Sequence, residues 1–95
     1  MRIEVGRTAD YEKIPALVEI GRGFYYLCRR RRKWFLLSTL CPHQGGEVIW
    51  SAEDEEFVCP LHGWRFDARG RIGPRRGGLK RYPVEEADGV LWVQF

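Results

Sequence analysis

Histidine and cysteine are scarce in this 95-residue chain: two His, three Cys, and a single Met beside them. Each shortage excludes something. No apolar run exceeds five residues (Phe24–Cys28 is the longest), against roughly 20 for a membrane-spanning helix, so none is expected. Met1–Arg7 lacks the apolar stretch of a secretion signal. An odd three cysteines offer no disulfide framework, and a soluble cytoplasmic protein is expected. Eleven glycines and five prolines leave no clean helix of three turns. The best helical stretch, Asp10–Lys13, is one turn at most. At this length a single domain over 1–95 is expected, and a two-domain enzyme with an interdomain cleft is excluded. The net charge of +3 does not by itself call for nucleic acid.

What remains is β-type. Short runs rich in β-branched and aromatic residues, bounded by Gly, Pro and charge, predict strands at Ala16–Ile20, Phe24–Cys28, Lys33–Thr39, Phe57–Cys59, Leu79–Glu85 and Val90–Gln94. Asp88-Gly89 between two such runs signals a hairpin. The basic run Arg29–Lys33 predicts another, with Arg29–Arg32 at its turn. The acidic run Glu53–Glu56 reads as a third hairpin tip. The fold class is therefore all-β, a small antiparallel sandwich or barrel.

Two segments break the strand pattern: Leu40–Gly46 and Pro60–Asp67, loop-like and rich in Cys, Pro, His and Gly. Both histidines fall there, each close to a cysteine, as Cys41-Pro42-His43-Gln44-Gly45-Gly46 and Cys59-Pro60-Leu61-His62-Gly63-Trp64. Fifteen residues separate His43 from Cys59. Thiolates and imidazoles at such spacing point to zinc, copper or an iron–sulfur cluster. A Cys2His2 zinc finger places both cysteines first and the histidine pair on a helix. Here each loop supplies one ligand of each kind, which suits two irons, one taking both thiolates and the other both imidazoles.

The two boxes closely resemble those of the Rieske 2Fe–2S domain, including the proline after each Cys and Gly63 after the second His. The resemblance continues through Trp64-Arg65-Phe66-Asp67 and Arg81-Tyr82-Pro83-Val84, over residues 16–95. It implies one 2Fe–2S cluster with Cys41 and Cys59 on the buried iron, His43 and His62 on the outer iron, and a cluster-binding loop subdomain of a Rieske-like sandwich or barrel at about 40–74. It gives Gln44, Gly45 and Gly63 backbone N–H groups directed at cluster sulfur. Trp64 becomes a packed aromatic that keeps water away, and Gly73-Pro74 a covering loop. Two ferric ions, two sulfides, two thiolates and neutral imidazoles sum to zero charge, whereas four thiolates leave a dianion. The neutral centre is easier to reduce.

Departures from the respiratory type set the expected subtype. That type carries an extra Cys in each box, joined as a disulfide; here Gly46 and Leu61 stand at those positions. Its Ser and Tyr after the second box are here Trp64 and Phe66, without hydroxyls to stabilise the reduced state. The expected potential therefore lies toward the bottom of the Rieske range of roughly −150 to +300 mV. The resemblance implies a ferredoxin of the dioxygenase-system type, an electron carrier and not an enzyme. It would take electrons from a flavoprotein reductase and pass them to a terminal oxygenase. Docking is expected at the exposed imidazoles, around Pro42, Leu61 and Pro74, with no nucleic acid and no membrane. The alternatives are a Rieske subunit or fragment of an oxygenase or assimilatory reductase, and a zinc module. Cys28 reads as a small buried hydrophobe, and Trp34, Trp50 and Trp92 as core or sheet-face residues. The basic and acidic runs read as solvated turns.

Overall fold

The structure, a computed structural model, describes residues 1–42, 45–61, 63–72 and 77–95. In chain order it contains β1 (Arg2–Arg7), a 3-10 turn (Thr8–Asp10), β2 (Ala16–Ile20), β3 (Gly23–Arg30), β4 (Lys33–Ser38), β5 (Ile49–Ser51), β6 (Glu56–Val58), β7 (Arg65–Phe66), β8 (Arg81–Ala87) and β9 (Val90–Gln94). No helix among the described residues is long and apolar enough to cross a membrane. The chain divides into two compact units, residues 1–37 with 81–95, and residues 38–80.

The first unit is built on a six-stranded sheet in the order β1-β9-β8-β4-β3-β2. Its pairs β1–β9, β2–β3, β4–β8 and β8–β9 are antiparallel. Alternation decides which side chains turn inward: Val18 and Ile20 from β2, Leu27 from β3, Trp34 and Leu36 from β4, Leu91 and Val93 from β9. Ile3 and Val5 of β1 and Tyr82 and Val84 of β8 pack against the same cluster. All six strands, both edges included, thus feed one core, which is how a curled, barrel-like sheet buries its apolar face. β4 is interior, and its run Trp34–Leu37 is buried on both faces. On its second face Arg81 lays its guanidinium over the Phe35 ring, 4.0 Å from the centroid.

The Asp88-Gly89 hairpin forms as predicted, with φ of 51° and 78° at the two turn residues. Other boundaries moved. Leu79–Glu85 was expected as one strand; pairing starts at Arg81 and continues to Ala87. The single helical turn lies at Thr8–Asp10, ahead of Asp10–Lys13. The basic run is less of a turn than the charge suggested. β3 extends through Arg30 and β4 begins at Lys33, leaving Arg31-Arg32 between them. Three strands were missed. β1 is charged and bulged between Glu4 and Gly6, while β5 and β7 are only three and two residues long.

The bulge is fastened from outside the strand. Tyr11 donates its hydroxyl to the Val5 carbonyl at 3.0 Å, and a Cβ on Gly6 would stand 2.6 Å from the Tyr11 hydroxyl oxygen. Burial and the nearby Asp10 hold the Tyr11 phenol above its ordinary pKa. Tyr11→Phe is expected to destabilise the protein by about 1 kcal/mol in urea unfolding, the net worth of one such bond. An unchanged midpoint would show that the bulge stands without it.

The second unit holds the three-stranded antiparallel sheet β5-β6-β7. Phe57 and Phe66 face each other across β6–β7, and both are fully buried. Trp50 packs on Phe57 with ring centroids 4.7 Å apart. The acidic run forms the β5–β6 turn, as expected, but it is partly paired. Arg65 lies 3.4 Å from Asp54 and 3.8 Å from Glu56, exposed pairs that contribute little stability.

Candidate metal centre

Both cysteine boxes fold into the same backbone loop. In the first, the Cys41 N–H donates to the Gly46 carbonyl at 2.7 Å, and the Gly45 N–H donates back to the Cys41 carbonyl at 2.8 Å. In the second, the Cys59 N–H donates to the Trp64 carbonyl at 2.8 Å, and the Gly63 N–H returns to the Cys59 carbonyl at 2.8 Å. The offsets in sequence are identical. Gly45 and Gly63 sit at matching left-handed φ values of 72° and 69°, a conformation that a Cβ disfavours. The two boxes are therefore structural repeats, although the histidine follows the cysteine by two residues in one and by three in the other.

This corrects one reading. The Gly45 and Gly63 N–H groups were expected to point at cluster sulfur, but both are hydrogen-bonded to carbonyls of their own loops. The reason is local: a left-handed glycine turns its N–H back onto the carbonyl four residues earlier, and the loop closes on itself. These glycines shape the site through the loop they close. His43, Gln44, His62, Gly73 and Pro74 lie outside the described residues.

The thiols are free and buried, with Cys41 and Cys59 each 2% exposed. The loops also touch. A Cβ on Gly46 would stand 2.7 Å from Leu61 Cδ1 and 3.2 Å from Cys59 Sγ. Glycine at 46 thus lets the second loop, thiol included, close onto the first. Gly46 and Leu61, the two positions at which the respiratory type carries its extra cysteines, thus approach each other here without a covalent link. Two buried, unbridged thiols on twin loops in contact are a donor set that fits an iron–sulfur group. Trp64 is half-buried in the second loop, where its carbonyl secures Cys59. Cys28 belongs to the other unit. Burial pushes its thiol up to about 12 against a smaller opposing pull from Arg81, as fits an inert buried residue.

A further loop follows, and its base was missed in the sequence. The Asp67 carboxylate accepts the N–H groups of Arg69 at 2.8 Å and Arg71 at 3.0 Å. The Asp67 N–H donates to the Arg71 carbonyl at 2.9 Å, and the Leu79 N–H to the Gly70 carbonyl at 2.8 Å. Arg71 and Gly78 bridge as an antiparallel pair. The signals were present as an Asp three residues before a Gly, and as the Gly77-Gly78 pair.

Comparison with known proteins agrees with this arrangement. The Rieske [2Fe-2S] domain model matches residues 2–83, starting well before the 16 inferred from the motifs. Cytochrome b6-f complex iron-sulfur subunit 2 of Nostoc sp. is 38% identical over 55 residues, 56% of this chain and 31% of that protein. Cholesterol 7-desaturase nvd 1 of Ciona intestinalis is 26% identical over 93 residues, 87% of this chain and 20% of that protein. The matched part thus spans about a third or less of these relatives. Among solved structures, the plasma membrane Rieske protein PetC3 of Synechocystis PCC 6803 superposes with a TM-score of 0.77 at 24% identity, covering 98% of this chain and 99% of that one. A chain of the reduced oxygenase–ferredoxin complex of carbazole 1,9a-dioxygenase superposes with a TM-score of 0.71 at 21% identity, covering 97% of this chain and 27% of that one. With twin loops presenting two buried thiols and a family match over most of its length, the chain belongs to the Rieske [2Fe-2S] domain family, whose cofactor is one 2Fe–2S cluster.

Proposed function

We propose that this chain is a one-electron carrier of the ferredoxin kind, reduced by a flavoprotein and oxidised by a terminal oxygenase. Cys41 and Cys59 would hold one iron of the cluster, and His43 and His62 the other. When bound, the cluster supplies one electron reversibly at a potential set by its ligands and their hydrogen bonds. The protein's part is to hold and to shield. The Cys41–Gly46 and Cys59–Trp64 bonds fix the thiol-bearing loops, and the Gly46–Leu61 contact closes them together. Gln44, Gly45, Gly63, Trp64, Gly73 and Pro74 would complete the surround. The reading is carried by the twin closure of the two loops. Leu61, 55% exposed beside the buried Cys59, supplies an apolar spot for a transient partner. A cytoplasmic location goes with this reading.

A second reading, an iron-sulfur subunit of a complex of the cytochrome b6-f kind, is favoured by the 38% identity to the cytochrome b6-f subunit. The potential separates the two. Cyclic voltammetry is expected to give a value below roughly +100 mV, because Trp64 and Phe66 offer no hydroxyl to cluster or ligand sulfur. A value above that favours the second reading. His62→Cys is expected to alter the visible spectrum and lower the potential, since a third thiolate adds negative charge. An unchanged spectrum would remove His62 from the ligand set.

A further inference from the structure

We propose that the β3–β4 turn and the groove beside it bind an acidic segment of a partner protein. The groove, of about 540 Å³, is lined by Arg32, Lys33, Trp34, Phe35, Arg81, Pro83, Val84 and Glu86. It joins the basic run to Arg81, nearly fifty residues later in the chain, because β8 pairs with β4 through Leu37↔Arg81 and Phe35↔Pro83. Arg29, Arg30, Arg31, Arg32, Lys33 and Arg81 are all exposed. Among the described residues none of them has a carboxylate within ion-pair distance. Three cations, Arg32, Lys33 and Arg81, thus line the groove with one carboxylate, Glu86, and Arg29, Arg30 and Arg31 continue the run at its end.

The charge is held in place. Arg29 donates Nε–H to the Arg31 carbonyl at 3.1 Å and lies over the Trp34 ring, 5.3 Å from its centroid. Arg81 lies flat on Phe35. Arg31 takes a φ of 59°, a turn position where Asn or Gly would be less strained. A merely solvated turn accounts neither for the ordering nor for Arg81 at its side.

The aromatic rings decide the class of partner. Trp34 and Phe35 are 7% and 2% exposed, so no ring face is offered for a base to stack on. A membrane-surface site presents apolar side chains beside its cations, but residues 29–33 are all cations. β4 and β8 are interior strands whose backbone groups face strand neighbours, so recognition must come from side chains. Carboxylates spaced along a peptide meet Arg32, Lys33 and Arg81, with Pro83 and Val84 as a floor between them and Glu86 closing the run.

The test uses a fluorescently labelled peptide of alternating Glu and Gly, with binding to the cluster-loaded protein read by anisotropy. Binding is expected to weaken at least about tenfold in the Arg32→Glu/Lys33→Glu protein, by a smaller factor in Arg32→Gln/Lys33→Gln, and steeply as salt is raised. The charge-matched protein Arg7→Glu/Arg22→Glu, altered at exposed positions elsewhere in the first unit, should lose less than about threefold. No binding to the wild-type protein, or equal losses in both charge-reversed proteins, would overturn the proposal. So would tighter patch-dependent binding to a DNA duplex or to phosphatidylglycerol vesicles, which would move the site to another partner class.

Discussion

Cys59→Ala is expected to yield protein without the visible absorption of a 2Fe–2S centre, and Cys41→Ala the same. The loops themselves should survive either change. What closes them is backbone bonding, Cys59 N–H to Trp64 and Gly63 N–H to Cys59, with its counterpart around Cys41, and alanine keeps every one of those donors and acceptors. The substitution therefore removes a thiolate and little else. Losing one buried sulfur from packed surroundings costs about 1 kcal/mol, whereas losing a cluster removes the larger stabilisation that metal binding contributes to the folded state. Cys28→Ala is the matched control. It too deletes a buried thiol, 3% exposed, but in the unit without the boxes, so its spectrum should be wild-type. The readouts are visible absorption, iron content and far-ultraviolet circular dichroism on anaerobically purified protein. A Cys59→Ala protein retaining two irons per chain and the parent spectrum would sink the ligand assignment.

The second large effect concerns a glycine that touches no metal. Gly78 has a φ of +154°, and a Cβ there would stand 2.2 Å from the Gly70 carbonyl oxygen. That oxygen is backbone and accepts the Leu79 N–H, so no rotamer change relieves the clash; the base of the 71–78 loop must open instead. Gly78→Ala is expected to cost more than about 2 kcal/mol, combining overpacking with broken backbone bonds. Gly77→Ala isolates the other contribution. Gly77 also has a positive φ, +93°, but a Cβ there would meet nothing within 4 Å, so only the conformational cost of about 1 kcal/mol applies. Urea unfolding of the pair should separate the two. Equal destabilisation would mean that the Gly70–Gly78 approach is not the constraint.

Local physics explains which parts of this chain were legible in advance. Ala16–Ile20 and Val90–Gln94 were readable to the residue because they are short runs rich in apolar, β-prone side chains set off by breakers, Pro15 and Gly21 in the first case and Gly89 in the second. Asp88-Gly89 was readable because both turn positions need positive φ and few residue pairs tolerate it. β1 was not, since an edge strand of alternating charge with a bulge looks like a polar terminus until β9 pairs with it. β7 is two residues long and exists only because β6 lies beside it. In the site, the residue types at the boxes carry the ligand chemistry, and so they could be read at once. The direction of the Gly45 and Gly63 N–H groups could not, because composition does not tell which of several acceptors a loop will reach.

The sequence by itself determined the chemistry of this protein. Two cysteine–histidine boxes in a chain with no other histidine leave one metal centre, and side-chain identity is what a metal selects. Tertiary structure alone decided the arrangement around it: that the two boxes close as the same loop, that Gly46 admits Leu61 and Cys59, that Gly78 seats against Gly70, and that Arg81 joins a basic run far away in the chain. The loop closures are local bonds whose acceptors composition does not select; the other three are contacts between separate segments, set by strand register and close packing, and no local pattern encodes them.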